Sequence, residues 1–378
     1  MALRVEPVTD KADLDRFIRL PWRIYAGNPH WVPPLIVERR GHLDRRKNPF
    51  FDHAEVALWL ARRGDAVVGR ISAQVDRAYL DRHQDATGHF GMLEADDDPA
   101  VFATLFGVAE DWLHGHSMRR VRGPFSLSIN DESGLLVDGF DSPPSLMMNY
   151  APPYYGPGIE ALGYAKAKDL IAYSYDSFEP MPALAAGLVE RVRASPEVRL
   201  RPLRKDRYDA ELRVILDIFN DAWTDNWGFV PFTEAEMAHV AKEMKPLIHA
   251  DLVCIAELDG EPVAMAVSLP NLNEAIADLD GKLLPFGWAK LLWRLKVRSP
   301  GSARVALMGV RKKMQRTPVG GSIAFAVIDT IRENHMRQGV NLVELSWVLE
   351  DNHPMRRMIE AVGGRPDKTY RIYERGLD

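Results

Sequence analysis

Residues Arg304 to Gln338 read RVALMGVRKKMQRTPVGGSIAFAVIDTIRENHMRQ. Val305 to Val310 is a strand-like apolar run. Arg311, Lys312, Lys313 and Arg316 make a basic turn. Gly320, Gly321 and Ser322 read as a corner, and an apolar helix is expected from Ile323 to Ile331. Strand, basic glycine-containing loop and helix is the order that presents unpaired backbone N–H groups to an anion at a helix N-terminus. Glycine suits that place because a Cβ keeps a bulky phosphate away from the backbone. The helix carries Ile, Ala, Phe, Ala, Val and Ile in succession, the mark of burial nearly all round. Taken alone, the stretch also reads as a basic surface turn before a core helix.

The rest of the chain bounds the choice. Its 378 residues are 46% hydrophobic and 27% charged, a globular composition long enough for two domains. A net charge of -5 argues against a general nucleic-acid binder. The single cysteine, Cys254, excludes an internal disulfide and a Cys-rich zinc site, and its apolar surroundings mark it as a core residue. The N-terminus has no hydrophobic signal segment, and no apolar run reaches the ~18 residues of a membrane span. The expected location is cytoplasmic, with peripheral contact at the inner membrane face.

In order, the first half reads as a strand (Leu3 to Val8), a helix (Ala12 to Leu20) and a stiff loop rich in Pro and Trp. A hairpin follows around Arg62, Arg63, Gly64 and Asp65, then a strand from His89 to Glu94. The acidic Asp96, Asp97 and Asp98 open a helix from Ala100 to His114, which is the wrong sign for a phosphate cradle. Strands are expected over Arg120 to Leu127 and Lys168 to Tyr175. The second half repeats this order from Val198, with a helix from Tyr208 to Trp223 and another from Glu234 to His249. A hairpin around Asp259 and Gly260 and a fifth strand from Leu342 to Leu349 complete it. The hairpin glycines Gly64 and Gly260, and the late glycines Gly163 and Gly363, recur at a spacing of about 200 residues. Two α/β units of one plan are expected, 1–180 and 195–378, only the second with a phosphate-compatible loop. The first then serves as scaffold and substrate wall.

The second half also carries an insertion, 281–302, reading GKLLPFGWAKLLWRLKVRSPGS. On a helix, Leu284, Trp288, Leu291, Leu292 and Leu295 fall on one stripe, with Lys290, Arg294 and Lys296 off it. A basic amphipathic helix with tryptophans suits a membrane interface or the entrance of an acyl-chain channel. Packing on a neighbouring domain is the plain alternative.

The stretch from Arg304 resembles the acyl-CoA site of the GNAT superfamily of N-acyltransferases. Their pyrophosphate loop is commonly written Q/R-x-x-G-x-G/A. The segment Gln315 to Gly320 matches its first and last positions, with Pro318 where the middle glycine is usual. Proline has no N–H to offer there. Asn352 to Met355, Val362 to Gly364 and Tyr370 to Tyr373 look like the second half of the same pattern. The position seven after the Asn, often a Tyr acting as general acid, is Ile359 here. Over its whole length the chain resembles the tandem-GNAT proteins that include the bacterial ceramide synthases. The resemblance rests on Phe90–Phe102, Val121–Tyr155, Phe219–Thr233 and Glu344–Met355.

That resemblance implies two tandem GNAT domains, mixed sheets flanked by helices. It implies acyl-CoA as co-substrate, no metal, and N-acylation of a sphingoid base by direct attack of the amine on the thioester. It places the pyrophosphate at Gln315, Arg316, Gly320, Gly321 and Ser322, and the pantetheine arm at Asn352 and along the strand at Met308, Gly309 and Val310. Backbone N–H groups near Met308 to Val310 would hold the oxyanion. Candidates for the base are Glu344 and Glu350, with Asp131 and Glu132 from the first half. Tyr150, Tyr154 and Tyr155 are candidate acids for the leaving thiolate. Trp223, Trp227, Phe229, Tyr154 and Trp288 are candidates for lining the acceptor or acyl pocket. An acetyl-CoA enzyme on a small amine, and a non-catalytic acyl-CoA binder, remain alternative readings of the same residues.

Overall fold

The computed structural model describes residues 2–377. The chain forms β1 (Leu3–Pro7), α1 (Lys11–Ile24), α2 (Ile36–His42), β2 (Ala54–Arg63), β3 (Ala66–Asp76), α3 (Arg77–His83) and β4 (Thr87–Ala95). Then come α4 (Pro99–Gly115), β5 (Arg120–Gly123), β6 (Leu135–Asp138), α5 (Tyr155–Glu160) and β7 (Ala165–Asp176). The later part holds α6 (Ala183–Ala194), β8 (Val198–Pro202), α7 (Tyr208–Trp223), α8 (Glu234–Met244), β9 (Val253–Leu258), β10 (Glu261–Pro270), α9 (Leu272–Ile276) and α10 (Gly287–Trp293). It closes with β11 (Ser302–Val310), α11 (Lys312–Gln315), α12 (Pro318–Arg337), β12 (Leu342–Leu349), α13 (His353–Ala361) and β13 (Arg365–Gly376).

Two compact units result, and they interleave along the chain. The first comprises Met1–Leu170, Ile276–Trp288 and Lys368–Asp378; the second comprises Ile171–Ala275 and Ala289–Asp367. The expected division at 1–180 and 195–378 assigned consecutive stretches. The chain instead changes unit within β7 and returns its last strand to the first unit.

In the first unit β1, β2, β3 and β4 pair antiparallel in order, β5 joins β4 parallel, and β13 joins β5 antiparallel. In the second, β8, β9, β10 and β11 pair antiparallel and β12 joins β11 parallel. The repeat expected from the glycines extends to the turns. Gly64 and Gly260 have φ of 62° and 81°, and Gly163 and Gly363 have 85° and 101°, all values that suit glycine.

In the second unit α12 lies on the sheet through Ile323, Ala326, Val327 and Ile331, against Cys254, Ala256, Val263, Ala264 and Ala266. Burying each Ile or Val contributes about 1.5–3 kcal/mol. Cys254 is a core residue, its thiol pushed up to about 12 by burial. The helix begins at Pro318, not Ile323, so Gly320, Gly321 and Ser322 occupy its first turn. Thr317 as N-cap followed by proline is a helix-start signature, and it outweighs the two glycines behind it. The insertion also departs from expectation. Helix forms only from Gly287, because Pro285 disfavours helical backbone at Leu284, and a π turn over Arg294–Arg298 ends it.

Candidate functional site

The second unit's site follows from where two strands part. Among the described residues β11 and β12 pair only over Ser302–Val305 and Leu342–Leu345, so the rest of β11 has β10 on one side and no described strand on the other. Register tells which backbone groups face that open edge. Ala264 opposes Val310, and the Arg311 N–H bonds the Val263 carbonyl (2.8 Å). That bond flanks a pair that exchanges none, and such pairs alternate along an antiparallel ladder. Met265 and Gly309 therefore bond each other, while the N–H and C=O groups of Met308 and Val310 point away from β10. A bulge at Ala306, left unpaired between Leu307 and Val305, ends the regular ladder just before them.

Side chains cap both of those carbonyls. Trp223 Nε1–H donates to the Met308 carbonyl at 3.3 Å. Gln315 Nε2 donates to the Val310 carbonyl (2.9 Å) and to that of Ala222 (3.2 Å). The N–H groups of Met308 and Val310 stay on the open edge as donors. Gly309 lets α7 pack close: a Cβ there would come to 3.2 Å from the Ala222 Cβ of α7, tighter than ordinary contact. Trp347 of β12 meets Trp223 with ring centroids 5.7 Å apart, and Phe219 lies 4.7 Å from Trp223. Phe229, buried, joins Phe219 at 5.6 Å.

The basic turn is less free than its sequence suggests. Arg311 pairs with Asp217 (2.5 Å), Lys312 with Asp225 (2.5 Å) and Lys313 with Glu261 (2.6 Å). Arg316 is exposed and has no ion-pair partner among the described residues. At the start of α12, Thr317 Oγ1 accepts the Gly320 N–H (3.0 Å) and donates to the Met314 carbonyl (2.9 Å). A Cβ on Gly320 would overlap that same carbonyl oxygen, so Gly320 is there to let α11 close on α12. A Cβ on Gly321 would meet nothing within 4 Å. The Ser322 hydroxyl bonds back to the Pro318 carbonyl (2.9 Å). Arg316, the Val319 N–H and the space over Gly321 are thus the anion-compatible features of this corner.

Glu344 is buried and accepts the Ser346 hydroxyl. Arg304, also buried, donates to Ser346 Oγ (2.9 Å) and to the Ser346 carbonyl (3.2 Å), and lies 4.0 Å from Glu344. This small ionic group sits where β11 and β12 separate. Glu350 follows β12, and its carbonyl accepts from Arg356 (2.8 Å). Asn352 caps α13, its Oδ1 accepting the Met355 N–H (3.3 Å), which leaves its amide NH2 as a donor. Trp227 lies half-buried in the loop after α7. Sequence reasoning missed Arg304, Thr317 and Trp347. Thr-Pro was a readable cap signal, whereas nothing local marks Arg304 or Trp347.

The first unit shows the same parting of strands with the opposite outcome. β4 and β5 pair only over Thr87–His89 and Arg120–Arg122. The Asp96 N–H bonds the Val68 carbonyl (2.9 Å) beside the pair Gly69 and Ala95, so Ala95 stands as Val310 does. Here both outward groups are taken. The Ala95 N–H donates to Tyr155 Oη (2.8 Å), and Tyr154 Oη–H donates to the Ala95 carbonyl (2.7 Å). Further down, the Phe125 N–H donates to the Phe90 carbonyl (2.9 Å). Gln74 Nε2 holds the carbonyls of Phe125 (3.0 Å) and Leu127 (3.1 Å). Gly91 makes room, since a Cβ there would overlap the Phe125 carbonyl. The chain itself thus fills the edge of β4.

The other first-unit candidates have partners within that unit. Asp131 Oδ2 accepts the Ser128 N–H (3.1 Å) and hydroxyl (2.9 Å), and burial raises its carboxyl pKa. Glu132 pairs with Arg39 (3.1 Å). Tyr150 Oη–H donates to the Phe140 carbonyl (2.8 Å). Burial pushes Tyr154 up to about 12 and holds Tyr155 well above the usual phenol value, and Tyr155 also donates to Glu94 (2.8 Å). Trp288 is exposed, its Nε1–H on the Pro285 carbonyl (3.1 Å). No cluster of three or more His, Cys, Asp or Glu suited to a metal occurs among the described residues.

None of the protein-family models matches the chain. It is 52% identical over 376 residues to the bacterial ceramide synthase of Caulobacter vibrioides (strain NA1000 / CB15N), covering 99% of this chain and 98% of that one. It is 46% identical over 375 residues to protein YghO of Escherichia coli (strain K12), covering 99% and 95%. Among solved structures, a tandem GNAT protein from the clavulanic acid biosynthesis pathway superposes with a TM-score of 0.58 at 15% identity, over 100% of this chain and 99% of that one. A GCN5-related N-acetyltransferase from Sphaerobacter thermophilus gives 0.52 at 12% identity, over 99% and 96%. The relatives match end to end and the fold is the tandem GNAT fold: the chain is an N-acyltransferase belonging to the family of the bacterial ceramide synthase.

Proposed function

We propose that this N-acyltransferase transfers a fatty acyl group from acyl-CoA to the amine of a sphingoid base, in the second unit. The open edge of β11 is the observation that carries the acyl-CoA reading. Met308 and Val310 present donors there beside a helix N-terminus with Arg316 and an uncovered Gly321. The acceptor is supported by the name of the Caulobacter relative.

In this reading the arm lies along β11 as an added strand, with Asn352 Nδ2 available to it. Arg316 and the first turn of α12 hold the phosphates. The amine attacks only when neutral, and an alkylammonium has a pKa of roughly 10. Proton removal falls to a carboxylate of β12 or of the turn after it, Glu344 or Glu350. Attack forms the C–N bond and a tetrahedral oxyanion, which backbone N–H groups of Met308 or Val310 stabilise. Collapse breaks the C–S bond, and the departing thiolate takes up the proton that the carboxylate removed from the amine. Asp131, Tyr150 and Tyr154 support the first unit's own structure, and the aromatic group Trp223, Trp347, Phe219 and Phe229 borders the reacting end of the arm.

The same reading gives the insertion a role at a lipid surface. Leu284, Phe286, Trp288, Leu292, Trp293 and Val297 are all exposed, from 47% at Leu292 to 78% at Leu284 and Phe286. Lys290, Lys296 and Arg298 are interspersed, each worth about 1 kcal/mol near an anionic leaflet, whereas Lys282 is paired with Asp280 (2.7 Å). Among the described residues no helix is long and apolar enough to cross a membrane. Sedimentation with anionic vesicles tests this contact: Trp288→Ala with Trp293→Ala should abolish it, and wild-type protein that stays in solution would refute it.

The activity is tested by CoA thiol release with palmitoyl-CoA or acetyl-CoA, each with a sphingoid base or a panel of small amines. Release that needs both palmitoyl-CoA and the sphingoid base is expected. Release with acetyl-CoA and a small amine alone would replace the lipid acceptor with a soluble one.

A further inference from the structure

The Met308 carbonyl faces the open edge of β11, yet it already has a partner, the Trp223 indole N–H. Trp223 ends α7, half-buried, with the Phe219 ring 4.7 Å and the Trp347 ring 5.7 Å from its own. At 3.3 Å the bond lies just beyond the ordinary N–H···O range. The indole thus satisfies a backbone acceptor that β10 leaves unpaired, through a bond longer than the usual range. Gln315 treats the Val310 carbonyl differently, bridging it to Ala222 and so tying β11 to α7.

We propose that Trp223 is a placeholder for the substrate arm: its indole N–H occupies the position of the secondary-amide N–H that acyl-CoA presents to Met308. The inference rests on the acyl-CoA reading above and adds a step to it. Binding breaks the indole bond, the arm's amide takes the carbonyl, and the freed indole turns toward Trp347. Trp223 thus tunes affinity through the arm and not through the phosphates. It satisfies the Met308 carbonyl when no arm is present and leaves the rest of the edge open.

Trp223→Phe keeps an aromatic ring and removes the donor. Trp223→Met also removes the donor but puts a flexible apolar chain in place of the ring, and guards against a misfolded first variant. Calorimetric titration compares CoA with its armless nucleotide portion in all three proteins. Losing the competing bond should tighten CoA binding about 2- to 10-fold, with the armless nucleotide unchanged. A merely structural role would move both ligands together, which would overturn the proposal. Unchanged or weaker CoA binding in both variants, while wild type binds CoA, would overturn it and leave the acyl-CoA site standing. Failure of wild type to bind CoA would remove the site and the placeholder together.

Discussion

Gly320 and Gly321 are adjacent in sequence and in the same helical turn, yet the structure assigns them opposite physics. At Gly320 an added Cβ overlaps the backbone carbonyl of Met314. Neither atom belongs to a flexible side chain, so α11 must move away from α12. That also strains the Thr317 cap, which bonds both Met314 and Gly320. Overpacking of this kind costs about 1–3 kcal/mol. At Gly321 an added Cβ meets nothing within 4 Å, and alanine is favoured over glycine within a helix by about 0.8–1 kcal/mol. Gly320→Ala should therefore lower the midpoint of thermal unfolding by several degrees, at about 2–4 °C per kcal/mol for a unit of this size. Gly321→Ala should raise it by about 2 °C and yet weaken CoA roughly tenfold, because the methyl fills space needed by the pyrophosphate. Calorimetric melting followed by CoA titration of both variants reads all of this. A Gly321→Ala protein that is stabilised and binds CoA as wild type does would refute the placement of the phosphates. A Gly320→Ala protein as stable as wild type would refute the packing argument.

Glu344→Gln leaves Arg304 buried beside a neutral partner and should cost about 3 kcal/mol, so it must be judged by kcat of the folded fraction, with Glu350→Gln as the stable comparison. Tyr155→Phe strips a hydroxyl from both the Ala95 N–H and Glu94 and should cost about 1–3 kcal/mol in denaturant unfolding, with CoA affinity unaltered. Burial lowers the His335 pKa to about 4, against about 6.5 for an unperturbed imidazole. Below pH 6.5 the unfolded chain takes up a proton that the native protein refuses. Stability present above 6.5 is then lost as pH falls toward 4, by up to about 3 kcal/mol from this group. Urea unfolding across that range should show the loss, and His335→Gln should reduce it without abolishing it, because burial lowers His89 to about 4 as well.

Periodicity made the second unit legible. Tyr208–Trp223 and Leu342–Leu349 run as their apolar patterns indicate, and both hairpins turn at their glycines. What the sequence could not reveal is long-range. No local pattern shows that the last strand belongs to the first unit, since its partners Arg120 to Gly123 lie some 250 residues earlier. The tyrosines at 154 and 155 read equally as acids, packing or edge caps. Only the register of β3 against β4 identifies Ala95 as their partner. The basic turn misled for a related reason: the carboxylates that neutralise Arg311, Lys312 and Lys313 come from α7, the loop after it and β10. The insertion shows the reach of a single proline, since Pro285 shortens a helix whose wheel looked complete.

The central claim is that one of two similar strand edges takes the acyl-CoA arm and the other is closed by its own chain. Amide hydrogen exchange with and without saturating CoA reads both edges in one measurement. The account predicts new protection at Met308, Val310 and the first turn of α12, and no change from Leu93 to Ala95. Protection at Leu93 to Ala95, or none between Ala306 and Ser322 while CoA is bound, would contradict it.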